Sequence, residues 1–312
     1  MRRKINIFLV FIMLIMLVSC SNTEDTGSSG GVCFEDDTGR SVTVNEPKKV
    51  AVLFSSFAEI WTLAGGEVSI TVGETVERGF ADADALLVDN GAGKSIAQEL
   101  LLSYEPDFVI YSCDIAAQAE TAALLAAAKI PAAGFRVETF DDYLRVLKIF
   151  TEITGNETAY ETYGEKVRME IESIFAALPM QAEKQKILFI RAGSGSRSTK
   201  AKTAEEHFAC VMLNELGTYN IAENAKVLLD GLSVEEVLIE NPQYIFISAM
   251  GDEAAAKAYM ESVLAEDAWQ SLDAIQSDRV YYLPKELFQF KPNGRWAEAY
   301  RYLAEIFYET QS

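Results

Sequence analysis

Residues 97–112 read AQELLLSYEPDFVIYS, and the same pattern returns 136 positions later as SVEEVLIENPQYIFIS in residues 233–248. Glu99 aligns with Glu235, and a leucine, a proline and an apolar run also align at this offset. Each segment is typical of a short helix, a proline-containing turn and a buried strand. The repeat therefore predicts two equivalent halves, with one carboxylate at the start of a helix in each.

Strand candidates alternate with helical segments on both sides of the repeat. The candidates are 49–54, 68–72, 85–88, 108–111 and 132–135 in the first half, and 186–191, 244–248 and 280–283 in the second. Strands that alternate with helices form a mostly parallel sheet that is covered on both faces. The sequence therefore predicts an α/β fold made of two α/β lobes.

Residues 139–178 contain no strand candidate and form two helical segments that are separated by Gly155-Asn156. We interpret the second segment as one long helix that joins the lobes; a helical hairpin within one domain is the alternative. The predicted boundaries are an N-terminal lobe over 36–155, a linking helix over 156–179 and a C-terminal lobe over 180–312.

The N-terminus has the layout of an export signal. Three basic residues precede an apolar run over 5–18, which is too short to span a bilayer comfortably. The run ends in Leu-Val-Ser-Cys at 17–20, which is typical of a lipobox. We predict a signal peptide over 1–19, a lipid on Cys20 and a flexible tether over 20–35; a signal-anchor helix is the alternative. The protein would then be extracytoplasmic and lipid-anchored to the cell membrane, at a cell surface or in a periplasm.

Composition excludes several classes of protein. The chain has 27 basic and 47 acidic residues, a formal charge of −20 and one histidine. Nucleic-acid binders need a basic surface, and histidine-rich metal sites need more histidines. Beyond Cys20, the three cysteines (Cys33, Cys113 and Cys210) are widely spaced, which indicates neither a metal knuckle nor a disulfide framework.

Ligands of open α/β sheets bind beyond the carboxyl ends of the strands, and the loops there are rich in polar, basic and aromatic residues. The predicted ligand-binding residues are Ser55, Phe57, Arg78, Tyr111, Arg136, Arg191, Arg197, Lys200 and Arg295. Four basic residues fall within 191–202, which would suit an anionic ligand. A solvated basic loop is the alternative interpretation.

Two other motifs carry little weight. Residues 90–95, NGAGKS, are similar to the end of a phosphate-binding loop, but Val88 stands where that motif needs a glycine. His207 could ligate haem iron, yet its position beside a helical segment favours a solvated or helix-start histidine. No Ser/His/Asp arrangement is present.

Taken together, the chain from about Asp37 onwards resembles the substrate-binding lipoproteins of ABC importers for ferric siderophores, haem and vitamin B12. The segments that carry the resemblance are 36–44 (DDTGRSVTV), 47–66, 98–112, 208–223, 232–248 and 269–303. The resemblance implies the class III periplasmic-binding-protein fold, with two lobes spanned by one long helix and ligand in the cleft. It also implies that one glutamate per lobe docks on the permease, at positions matching Glu99 and Glu235.

We therefore expect a monomeric, non-enzymatic receptor that captures a ferric-siderophore-type chelate and delivers it to an ABC permease and its ATPase. No resident cofactor and no protein-held metal are expected. Haem or cobalamin is the alternative cargo, and a surface enzyme or adhesion module on this scaffold is the alternative of a different class.

Overall fold

A computed structural model describes residues 30–89, 95–179, 183–225, 228 and 231–308. The predicted signal peptide, Cys20 and residues 90–94 of the NGAGKS motif lie outside these ranges. Within them, no helix is both long and apolar enough to cross a membrane.

The N-terminal half is built on a parallel sheet whose strands are ordered β5-β4-β3-β6-β7. Its elements are β1 Val32–Glu35, β2 Ser41–Val44, β3 Val50–Val52, α1 Ser55–Leu63, β4 Ile70–Thr71, α2 Gly73–Glu77, β5 Leu86–Leu87, α3 Gln98–Ser103, β6 Phe108–Ser112, α4 Ala116–Ala119, α5 Thr121–Ala127 and β7 Ala132–Phe135. Strands β3, β6 and β7 are buried along their whole length, because helices cover both faces of a parallel sheet.

A separate antiparallel hairpin, β1–β2, precedes this sheet. Its first strand begins at Val32. The predicted tether over 20–35 is therefore too long, because its last residues pair with Ser41–Val44 and belong to the folded protein.

Helices occupy the chain between the two sheets. Helix α6 (Phe140–Thr154) begins at a capping box formed by Thr139 with Asp142 and ends at Gly155 in the left-handed conformation. A second helical run follows without interruption, as α7 (Glu157–Tyr160), a π-helical turn (Glu161–Glu165) and α8 (Lys166–Ala177). It covers most of the segment predicted as the linking helix.

The C-terminal half contains a second parallel sheet, ordered β10-β8-β11-β12, with β9 antiparallel to β8. Its elements are β8 Lys186–Ala192, β9 Lys200–Ala201, α9 Phe208–Glu215, β10 Tyr219–Asn220, α10 Val234–Glu240, β11 Tyr244–Ala249, α11 Glu253–Leu264, α12 Asp267–Gln270, α13 Asp273–Gln276, β12 Val280–Leu283, α14 Lys285–Phe288 and α15 Trp296–Tyr308. The predicted α/β fold with two lobes is confirmed.

The sequence repeat is a structural repeat. It forms α3 and β6 in one lobe and α10 and β11 in the other. Glu105 and Asn241, at equivalent positions after the helices, both adopt a positive φ. The side chains two residues later, Asp107 and Gln243, accept hydrogen bonds from the backbone at the start of the neighbouring strands β3 and β8. The predicted equivalence of the two halves therefore extends to single hydrogen bonds.

One apolar core crosses from the first lobe to the second. It contains Phe135 of β7, Phe150 of α6, Phe189 of β8, and Trp296 and Phe307 of α15. The last helix thus packs back against elements of both halves. Large apolar contacts of this kind oppose relative domain motion, so the loops between the lobes are held in a fixed relation.

Candidate ligand-binding cleft

Loops at the carboxyl ends of both sheets meet at the junction of the lobes, which we call the cleft. Arg78, after α2, contacts Phe290 from the second lobe. Glu138, after β7, pairs with Lys291 at 2.8 Å. Parallel strands direct their following loops to one edge of a sheet, and this is the edge at which ligands of such folds bind.

Arg78 lies at the centre of the first group of cleft residues. Its guanidinium donates to Ser55 Oγ at 3.0 Å and to Glu59 at 3.2 Å. The ring of Phe80 lies 4.8 Å from it and the ring of Phe290 lies 4.0 Å away. Burial lowers the pKa of Arg78, which the nearby acids oppose, and burial raises the pKa of Glu59. The structure therefore brings Ser55 and Arg78 together, but it uses the arginine to hold a loop of the other lobe.

Asn293 makes a second connection between the lobes. Its side-chain amide donates to the Ser56 carbonyl at 3.0 Å and to Glu59 at 2.8 Å. The residue is fully buried and has a φ of +47°, a conformation that asparagine adopts more readily than most residues. Glu59 consequently accepts hydrogen bonds from both lobes.

The second group of cleft residues is basic. Arg191, at the end of β8, has a buried Nε without a hydrogen-bond partner and no ion pair within the described part of the chain. Burial lowers its pKa. Lys291 lies 5.0 Å from the ring of Phe208 and pairs with Glu138. Burial lowers the pKa of Lys291 as well, against the effect of Glu138. Arg191 is thus a half-buried cation whose Nε–H is available for an anionic group.

His207 lies next to these cations, at the N-cap of α9. It is only 7% exposed, between the rings of Phe189 and Phe208. Burial, and then Lys291 and Arg191, lower its pKa well below the usual value, so the imidazole is neutral. The prediction of a helix-start histidine is confirmed, but the expectation of a solvated one is wrong because the aromatic rings enclose it.

The hydrogen bond of His207 determines its chemistry. Its Nδ1 accepts from the backbone N–H of Ala209 at 3.2 Å. A neutral imidazole that accepts through Nδ1 carries its proton on Nε2. In this state neither nitrogen has a lone pair free for a metal, and Nε2 can only donate a hydrogen bond.

Two predicted ligand-binding residues belong to the core instead. Phe57 is 1% exposed and packs edge-on against Phe54 and Phe135. Tyr111 is equally buried, and its hydroxyl accepts a hydrogen bond from Arg40 at 2.7 Å, at the β7 edge of the sheet. Both predictions are wrong because these side chains point into packed faces rather than towards the loops.

Four predicted basic residues have more exposed positions. Arg136 pairs with Asp114 at 2.6 Å, and Arg295 forms two hydrogen bonds with Glu298 one helical turn away. Arg197 and Lys200 lie on the segment between β8 and α9, and neither has an ion pair among the described residues. Among the four, Arg295 lies near enough to Glu59, the partner of Arg78, to lower the pKa of that carboxyl against the effect of burial.

Sequence reasoning missed several residues of the cleft. Glu59, Phe290, Lys291 and Asn293 are among them. The segment FKPN at 290–293 combines an aromatic, a cation and an amide after the last strand. That combination was an available signal, but nothing local indicates that its partners lie in the other half of the chain.

The two predicted docking residues are placed alike. Glu99 lies in the first turn of α3 and Glu235 in the first turn of α10, and both are exposed. Neither carboxylate has an ion pair within the described ranges. In these ranges there is also no group of three or more His, Cys, Asp or Glu placed to hold a metal ion.

Comparisons with known proteins agree with this geometry. Residues 50–287 match the family model described as periplasmic binding protein. None of the curated proteins matches the chain in sequence.

Solved structures match over most of the chain. The haem-binding protein RhuT of Roseiflexus sp. RS-1, solved without ligand, is 19% identical with a TM-score of 0.68, covering 85% of this chain and 99% of its own. An ABC transporter substrate-binding protein of Listeria monocytogenes is 17% identical with a TM-score of 0.66, covering 84% and 98%. SirA of Staphylococcus aureus, solved with staphyloferrin B, is 17% identical with a TM-score of 0.65, covering 90% and 98%. At these identities the likeness shows the fold.

Proposed function

Because the chain belongs to the periplasmic binding protein family, we propose that it is the extracytoplasmic solute-binding protein of an ABC importer. Its cargo is an anionic iron(III) chelate of the siderophore type, which it delivers to a permease and its ATPase. Two of the structural relatives support this proposal: one is described as an ABC substrate-binding protein, and SirA was solved with staphyloferrin B.

The observation that carries the cargo assignment is the unpaired Arg191. The half-buried guanidinium has a buried Nε–H without an acceptor, which is costly, and a ligand carboxylate or phenolate that binds it relieves that cost. Lys291 and the Nε2–H of His207 add two donors nearby, since both cations act on the pKa of His207. Three donors of this kind favour a ligand with exposed anionic oxygens.

Haem is the second candidate, because RhuT is described as haem-binding. Haem iron needs an axial ligand from the protein. The Nδ1 bond of His207 removes the only histidine from that role, and Tyr111 is bonded to Arg40. A haem cargo would therefore need ligation by another tyrosine or a methionine. Cobalamin ranks third, since a neutral ligand does not call for an unpaired arginine.

A fluorescence titration tests the cargo. The purified chain is titrated with ferric staphyloferrin B, an iron(III) trihydroxamate, haemin and cyanocobalamin, and tryptophan emission is recorded. Trp296 contacts Phe208, the ring beneath Lys291, so bound iron chelate is expected to quench it. Quenching by cyanocobalamin alone would overturn the siderophore assignment.

Substitution of Arg191 tests whether this residue binds the ferric chelate. Arg191→Met is expected to weaken binding of the ferric chelate about tenfold or more, since charge-assisted hydrogen bonds contribute about 1.5–3 kcal/mol. Arg301→Met is the matched control, because Arg301 is exposed and paired with Glu170. Equal affinities of the Arg191→Met variant and the wild type would contradict the proposed role.

The same proposal includes the membrane anchor and the transporter. A lipid on Cys20 would keep the receptor near its permease, and mass spectrometry of the mature N-terminus tests for this modification. Permease and ATPase genes beside this gene would support transport. Their absence would favour a surface enzyme or an adhesion module.

A further inference from the structure

The helix that carries Glu235 also carries an unusual apolar surface. Ile239 is 74% exposed, the highest value among the large hydrophobic residues that the described ranges expose. Leu238 beside it is 36% exposed. Residues three and four positions apart lie on the same helix face, so Glu235, Leu238 and Ile239 form one exposed patch, which we call the α10 patch.

The fold does not require this exposure. Val237, on the opposite side of α10, is fully buried and belongs to the core of the C-terminal lobe. Together with the partly buried Val234, it anchors the helix on this core. In the equivalent helix α3, Leu101 plays the same part, while the position that matches Ile239 is Ser103, which is exposed. The repeat thus shows that a polar residue is compatible with this position.

We propose that the α10 patch docks the C-terminal lobe on the permease, with Ile239 and Leu238 entering an apolar socket beside a basic residue that pairs with Glu235. This inference rests on the proposed function. It adds two apolar side chains to the charged contact that Glu235 is expected to make with the permease. Exposed isoleucine and leucine side chains gain free energy when a partner removes them from water.

Charge complementarity selects this occupant over others. Glu235 is exposed and without an ion pair in the described part of the chain, and the whole chain carries a formal charge of −20. A second copy of the chain would bring like charges together, and an anionic membrane surface would repel the patch. A partner with a cation beside an apolar socket pairs with Glu235 and also covers Leu238 and Ile239.

The test uses the full chain and the permease–ATPase complex encoded beside it, reconstituted in lipid nanodiscs. Ile239→Ser copies the residue of the equivalent α3 position and is expected to weaken binding to the complex about tenfold. Affinity for the ferric chelate and the thermal midpoint should stay at wild-type values. Met169→Ser is the matched control, since Met169 is a 58% exposed methionine on α8, and it should leave binding unchanged.

Glu235→Arg separates the two hypotheses. If this variant loses binding and Ile239→Ser does not, the apolar part of the patch is wrong and the transport function stands. If neither variant changes binding, docking through α10 is wrong and the proposed function loses its transporter contact. A wild-type dimer in analytical ultracentrifugation that Ile239→Ser dissociates, or wild-type binding to protein-free vesicles that it removes, would overturn the permease as the occupant.

Discussion

Single residues at the junction of the lobes decide much of its geometry, and Asn293 is the clearest case. Its amide joins the Ser56 carbonyl and the Glu59 carboxylate while its backbone has a φ of +47°. Few other side chains combine two donors, a short length and tolerance of the left-handed region. Glu59, its acceptor, is mostly enclosed, and burial raises its pKa, so losing this donor leaves a poorly solvated carboxyl group.

Replacing Asn293 should destabilise the protein in two separable ways. Asn293→Ala removes both hydrogen bonds and strains the backbone, and we expect a loss of about 3 kcal/mol in the free energy of unfolding. Asn293→Gly removes the same bonds without the strain and should lose about 1 kcal/mol less. Urea denaturation measures both values. Equal stabilities of the two variants would contradict the contribution of the left-handed backbone.

At the scale of elements, one carboxylate attaches the β1–β2 hairpin to the first sheet. Asp36 accepts hydrogen bonds from the backbone of Thr38 and Gly134 and an ion pair from Arg40 at 2.7 Å. Desolvation opposes its ionisation, but the bonds from Arg40, Gly134 and Thr38 outweigh it and lower the pKa of Asp36 to about 2. The hairpin is thus held by a charge that persists to low pH.

This depressed pKa makes the attachment dependent on pH. A carboxylate whose pKa is lower in the folded state stabilises the protein above its unfolded pKa of 3.8, and this stabilisation is lost as the pH falls through about 2. Asp36→Asn should therefore lower the free energy of unfolding by about 2 kcal/mol at pH 7 and by progressively less below pH 4.

Urea denaturation between pH 2.5 and 7 checks this expectation. Asp82→Asn is the control, because Asp82 is exposed and its side chain has no hydrogen bond or ion pair within the described ranges. A deficit in Asp36→Asn that stays constant across this range would show that the charge of Asp36 is not what holds the hairpin.

For the whole molecule, the two lobes present equivalent acids on equivalent helices. Reversing both charges, Glu99→Arg with Glu235→Arg, should abolish iron uptake in cells, since each exposed carboxylate is expected to meet a cation on the transporter. Binding of the ferric chelate to the purified variant should remain within twofold of wild type, because neither glutamate is in the cleft.

A control of equal charge accompanies this variant. Glu120→Arg with Glu253→Arg reverses two other exposed acids and should leave uptake intact. Normal uptake by the Glu99/Glu235 variant would disprove docking through these residues, whereas loss of uptake in the control would point to net charge instead.

The sequence by itself determined the fold class and the internal repeat of this protein. Both depend on periodicity and on turn residues, which act over a few neighbouring positions, as in the proline turns that precede β6 and β11. The exposed positions of Glu99 and Glu235 followed from the same local pattern. The very short strands β4, β5, β9 and β10 show little periodicity in the sequence, and β9 and β10 were not predicted.

Only the tertiary structure decided what the polar residues of the cleft do. Arg78 binds a ring from the other lobe, and Tyr111, which was predicted for the cleft, bonds to Arg40 within the core. Their partners lie far away along the chain, as with Asn293 and Ser56, 237 positions apart. Periodicity fixes the face on which a side chain lies, but the charge, ring or carbonyl that it meets there is fixed by the packing of one half against the other.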